Sequence, residues 1–214
     1  DLSLGALVYD DAWTWNGATQ EWRVVHTNYG GVTGIVTLQA TNAVAARRFS
    51  AEWENRWVNV ELRTWLNTTF AEAFSPLFSG IVRQTAVPWT INNSTDVHES
   101  GVTTDRVFIA SRTELGGTEW AGEGTVLDWF SDPGTAAARR GAISTGWHWI
   151  RTGERAEWSG QWYNLSAYEV EAPSGNFIGA NWIDNNFGVV PLVNVNGTAE
   201  FAEQTDGRYK LFSP

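Results

Sequence analysis

Fourteen tryptophans and 21 glycines share a chain of 214 residues that contains no cysteine. Each buried indole removes about 150–250 Å² from water, and glycine opens backbone conformations that favour turns. With no disulfide available, such a chain has to close a loop-rich fold on large aromatic plugs. The length is sufficient, because a domain of this size buries roughly 70% of the surface its unfolded chain exposes. A single domain is therefore the expectation. The missing cysteines also exclude thiolate metal sites and cysteine nucleophiles.

The formal net charge is −10 and the pI about 4.7. Nucleic-acid binding through phosphates needs a basic face, and docking on anionic lipid needs a basic patch. Both are excluded as expectations. No apolar run approaches the roughly 20 residues of a membrane-spanning helix. There is no methionine, so Asp1 is not a translation start. A removed leader and a fragment boundary are the two readings of that end.

Along the chain, Trp22–His26 and Gly34–Leu38 are β-like runs around the turn residues Asn28-Tyr29-Gly30-Gly31, which predicts a hairpin. Leu62, Trp65, Leu66, Thr69, Phe70, Ala73 and Phe74 recur at helical spacing, with Asn59 as the expected N-cap. Ser75-Pro76 then starts a second short helix. Residues 84–104 read as a polar surface loop. Val107–Ala110 reads as a buried strand, and Ser111 with Glu114 as a capping box. Residues 116–145 read as a long excursion with little core, and 152–164 as a loop. Pro191 places its strand at a sheet edge or on a bulge. Asp206-Gly207 predicts a hairpin between 198–204 and 208–212.

No catalytic set emerges. His26, His98 and His148 are scattered, and no nucleophile elbow, P-loop or dinucleotide fingerprint is present. Glu154, Glu157, Glu169 and Glu171 are candidates for a glycosidase pair, but solvated surface charge is the favoured reading of them. Asp184 with Asn181, Asn185 and Asn186 offers oxygen ligands for calcium. The acidic count there is low and the EF-hand spacing is absent, so no metal and no cofactor is expected. Arg63, Asp105 and Arg151 sit on apolar elements, where a charge survives burial only when paired. An Arg–Asp pair is expected among them.

The aromatic residues divide into two groups. Trp57, Trp65, Trp147 and Trp149 suit core packing. Trp158, Trp162, Tyr163 and Asn164, then Asn176, and then Asn181, Trp182, Asn185 and Asn186, occupy Gly-, Ser- and Asn-rich stretches. Aromatic side chains set among small polar ones are the chemistry of binding loops. The same tryptophans would also serve as plugs of a loop-rich fold.

Six motifs occur in order over residues 4–195. They are Trp22-Arg23-Val24; Trp57 ahead of Leu62-Arg63-Thr64-Trp65-Leu66-Asn67; and Phe70 with Ala73-Phe74-Ser75. Thr104-Asp105-Arg106-Val107-Phe108-Ile109-Ala110-Ser111 with Glu114 follows, then Trp149-Ile150-Arg151-Thr152-Gly153 and Gly188-Val189-Val190-Pro191-Leu192. This order resembles a bacterial and phage domain family of unknown function. The family's Ser-Pro is Thr152-Gly153 here, and the arginine of its closing strand is Val190. More loosely, the layout is similar to C-type-lectin-like folds, which include phage tropism determinants, retroelement variable proteins and formylglycine-generating enzymes. The formylglycine reaction is excluded by the missing cysteines.

That resemblance implies an α+β, C-type-lectin-like mixed fold, with an early helix pair, antiparallel sheets and long loops. Residues 1–195 would form the domain, and 196–214 a C-terminal β-hairpin extension packed on it. The implied function is a non-catalytic recognition module outside the cell, on a virion or bacterial surface. It would bind a protein or glycan receptor and form a homo-oligomer. The alternatives are a decoration, fibre or pilus subunit joining neighbouring copies through the same loops, and a carbohydrate-active hydrolase.

Overall fold

The computed structural model describes residues 2–93, 96–117, 119–159 and 161–212; for residues 156, 158, 162 and 180 it describes the backbone alone. Among the described residues the strands are β1 (Leu7–Trp15), β2 (Ala18–Thr27), β3 (Ile35–Ala40), β4 (Ala45–Arg47) and β5 (Val82–Arg83). Then come β6 (Thr85–Asn92), β7 (Val97–Asp105), β8 (Val107–Ile109), β9 (His148–Trp158) and β10 (Gln161–Glu171). β11 (Asn176–Trp182), β12 (Phe187–Val189), β13 (Pro191–Asn196), β14 (Phe201–Glu203) and β15 (Tyr209–Leu211) complete the set. The helices are short: α1 (Glu61–Trp65), α2 (Pro76–Ile81) and α3 (Pro133–Gly141).

Two curled mixed sheets carry the fold. Sheet one runs β14-β15-β1-β2-β3-β13-β5, with β8 also on β13. Sheet two runs β11-β10-β9-β12-β4, with the β6–β7 hairpin joined to β9. This mostly-β architecture corrects the expected α+β, C-type-lectin-like fold. The helix expected over 62–74 does form: α1 passes without a break into a π-helical turn over Leu66–Phe70, and helical backbone continues to residue 72. Asn59 does not cap it; Val60 holds that position without a side-chain bond, and the Asn59 amide donates to Glu54.

The main reason the fold differs is residues 84–104, which form β6 and β7 instead of a loop. β7 alternates half-buried and exposed positions along Val97–Val102. A ribbon with one wet face has few apolar residues and therefore reads as polar. Likewise, 152–164 is largely strand, where β9 and β10 pair from Trp158–Gln161 down to His148–Val170. Within 116–145, α3 forms behind an Asp132 cap that accepts from the Gly134 N–H at 3.0 Å, and Leu127 and Phe130 are buried.

Other features agree with the sequence reading. β2 and β3 pair as a hairpin, with Asn28 left-handed at φ 62°. Ser75 Oγ accepts from the Phe78 N–H at 3.0 Å, with Pro76 in the first turn of α2. β14 and β15 pair antiparallel around the Asp206-Gly207 turn, and β15 adds to β1 in parallel. Pro191 differs from expectation. β13 is an interior strand between β3 on one side and β5 and β8 on the other. It admits proline because Pro191 is its first residue.

The core holds the aromatic plugs. Trp22 and Phe78 stack with centroids 5.4 Å apart, and Trp13 lies 5.5 Å from Phe78. Phe49, Trp57 and Trp149 fill the space beneath sheet two.

Buried charges tie the elements together. Arg63 and Asp105 form the expected pair at 2.7 Å, and the Asp105 carboxylate also accepts from Trp57 Nε1 at 2.9 Å. Arg151 takes Glu114 as its partner, at 2.5 and 2.6 Å, with both side chains fully buried. Glu114 also accepts from the Tyr29 hydroxyl at 2.6 Å. Ser111 and Glu114 bond reciprocally, each N–H to the other side chain at 3.1 Å. The Thr152 hydroxyl, at the motif's serine position, donates to the buried Glu123 carboxylate.

Candidate functional site

β11 forms one margin of sheet two and ends on Trp182, and the turn after it carries Asn185 and Asn186. Trp182 pairs in register with Ser166 of β10. That register sets the turn beside the start of β10, where Tyr163 and Asn164 are half-buried. The Asn185 N–H donates to the Trp182 carbonyl at 3.0 Å, closing the turn. Asn185 and Asn186 are exposed.

Trp182 keeps 45% of its surface in water. Its ring meets Trp53 edge-to-face, with centroids 6.4 Å apart and planes at 83°. Trp53 is 72% exposed, the largest value among the exposed large apolar residues described. It lies in the segment between β4 and α1, which is tied to the same turn because the Phe49 and Ser50 N–H groups donate to the Ile183 carbonyl at 2.9 and 3.0 Å. Two indoles thus share an exposed corner flanked by asparagine amides.

The other expected site residues divide. Asn176 starts β11, at the opposite end from Trp182, so it does not join the corner. The Asn181 side chain is engaged inward, donating to Glu169. The Tyr163 hydroxyl donates to Gln161 Oε1 at 2.7 Å. Trp158 and Trp162 occupy the last pairs of the β9–β10 hairpin, opposite Gln161 and Glu157; their side chains lie outside the described residues. Trp53 was missed by sequence reading. Its setting, Ser50-Ala51-Glu52-Trp53-Glu54-Asn55, has the same small polar composition as the segments that were chosen.

Of the glutamates considered for hydrolysis, Glu154 and Glu169 are buried, Glu171 is half-buried and Glu157 is exposed. Glu169 has no exposed surface, and burial pushes its carboxyl up to about 8. Glu154 is 7% exposed and accepts from the Tyr168 hydroxyl at 3.0 Å. Burial, then the neighbouring Glu154, pushes that phenol well above its ordinary value. His148 is buried on β9, where desolvation holds it down to about 4. Among the described residues, no three His, Asp or Glu side chains converge as a metal site.

The chain belongs to the family described as "Domain of unknown function (DUF6273)", which matches residues 33–197. The match begins after Trp22-Arg23-Val24, so the first of the six motifs falls outside it. No curated protein and no solved structure matches the chain.

Proposed function

We propose that this protein is a non-catalytic recognition module that binds a glycan at the Trp53–Trp182 corner. The exposed edge-to-face indole pair carries the reading. Large aromatic rings are costly to leave in water, and a pair held together by backbone bonds is rigid contact area prepared for a partner. Indole rings receive the apolar faces of sugar rings, and the Asn185 and Asn186 amides offer donors and acceptors for hydroxyls. The acidic surface disfavours polyanionic partners. Display outside the cell, on a phage particle or bacterial envelope, is part of the same proposal and rests on the sequence resemblance.

A glycan array probed with the native protein and with the Trp53→Ala and Trp182→Ala variants tests it. Each single variant is expected to weaken binding about fivefold, corresponding to about 1 kcal/mol per lost aromatic contact. Undiminished binding in the double variant rejects the corner. If no glycan binds and the protein sediments as an oligomer that Trp53→Ala dissociates, the corner is an interface between copies.

A further inference from the structure

A second site lies on the other sheet, on residues that the aromatic corner does not use. Helix α3 and the Asp128–Phe130 turn before it lie against the middle of sheet one, and a cavity of about 380 Å³ opens between them. Two arginines face it from opposite walls, Arg23 on β2 and Arg139 on α3. Both guanidiniums lie near the Trp129 ring, at 5.2 and 4.1 Å from its centroid. Arg23 donates to the Gly5 carbonyl at 3.1 Å, and Arg139 to the Trp129 carbonyl. Among the described residues neither has a carboxylate at ion-pair distance, and no carboxylate lines the cavity.

That absence has weight in a chain with 24 carboxylates. Asp132, which caps the same helix, feels the Arg139 charge at longer range, but its carboxylate is bonded by the Gly134 N–H and the Thr135 hydroxyl at 3.0 and 2.9 Å. The sheet wall adds a neutral polar group. Gln39 of β3 is directly opposite Arg23 in the sheet register and is only 3% exposed. Its side chain lines the cavity, where the amide offers a donor and an acceptor. Thr41 and Thr135 line the rim, where their hydroxyls donate to the Glu21 carbonyl and the Asp132 carboxylate and keep lone pairs to accept from a ligand hydroxyl.

We propose that this cavity binds a small carboxylate-bearing molecule of sugar size. The two arginines would hold the carboxylate, and Gln39 with the threonines would meet hydroxyls on its body. The volume falls within the range of small-molecule sites. Two guanidiniums fixed by backbone carbonyls and an indole are preorganised for a charge-assisted contact.

Titration calorimetry on the intact protein, with glucuronate, glucose and inorganic sulfate as separate ligands, tests it. Backbone amide shifts at Gln39 and Arg139 locate any binding. Glucuronate is expected to bind, glucose not at all, and sulfate at least about tenfold more weakly than glucuronate. Arg139→Gln and Arg23→Gln are each expected to weaken glucuronate about tenfold or more, with near-ultraviolet dichroism confirming that each variant is folded. If either fails to fold, Thr41→Val supplies the comparison, with a smaller loss. Equal binding of glucose, equal binding of sulfate, shifts elsewhere, or no glucuronate binding would each overturn the proposal.

Discussion

At the residue scale, burial decides which charges are structural. Arg151 and Glu114 are both fully buried and bonded to each other. Removing one partner of such a pair leaves a charge in a dry site, at a cost of about 3–5 kcal/mol. Glu114→Ala is therefore expected to lower the urea midpoint by more than any surface change, and Tyr29 would lose its partner as well. Glu169 behaves oppositely. Its carboxyl, with an ordinary value near 4.5, is raised to about 8 in the folded state, so the native state holds a proton that the unfolded state releases. Its contribution is fully present below about pH 4.5 and is lost as pH rises to about 8. Glu169→Gln keeps an oxygen for the Asn181 amide and removes the titration. Urea unfolding at pH 5 and pH 8 should show the native protein losing about 1–3 kcal/mol more than the variant between the two. Equal losses would mean that Glu169 is ionised in the fold.

At the element scale, close approach outweighs propensity. Gly141 ends α3 where the helix touches the β10–β11 turn. A methyl group there would collide with the Pro173 carbonyl, as one on Gly175 would with the Ala137 carbonyl. Alanine is the better helix former by about 1 kcal/mol, yet Gly141→Ala is expected to destabilise. Its melting temperature should fall, and the α3 amides should exchange faster. An unchanged or higher melting temperature would show that the turn moves aside at little cost. This contact also explains why α3 was unreadable in the sequence: Gly- and Ala-rich composition resembles a loop until the glycines are seen as points of contact. The Ser111–Glu114 capping box, the Ser75-Pro76 start and the Asn28 and Asp206-Gly207 turns were legible because each is a local bond pattern. β6 and β7 were not, because Thr85–Asn92 finds its partner only across a ribbon whose other face is wet. Trp182 was legible as an aromatic in an Asn-rich stretch, and it stands exposed at the end of β11. Trp53 needed the long-range bonds from Phe49 and Ser50 to Ile183 to place it beside Trp182.

At the scale of the whole molecule, the family match and the sheet topology have a common boundary. Strands β1, β2, β14 and β15 lie outside residues 33–197, and they are neighbours in sheet one, running β14-β15-β1-β2 up to β3. The matched region supplies β3, β13, β5 and β8 and all of sheet two. The added strands cover the margin that β3 would otherwise present. They also bring Arg23 to a cavity whose other walls, Gln39, Trp129 and Arg139, belong to the matched region. A chain cut after Asn196 would lose β14 and β15 and leave β1 as the sheet's outer strand, nine residues long with unpaired backbone groups. Long open edges recruit other strands. The truncated protein is expected to keep the Arg151–Glu114 core, and with it a cooperative unfolding transition, but to self-associate in sedimentation as its concentration rises. A charged substitution on the exposed side of β1, such as Ala12→Lys, should reduce that association. A truncated chain that stays monomeric would mean that β1 is protected by its own bulge between Tyr9 and Thr14; one that loses cooperative unfolding would show that the hairpin belongs to the core.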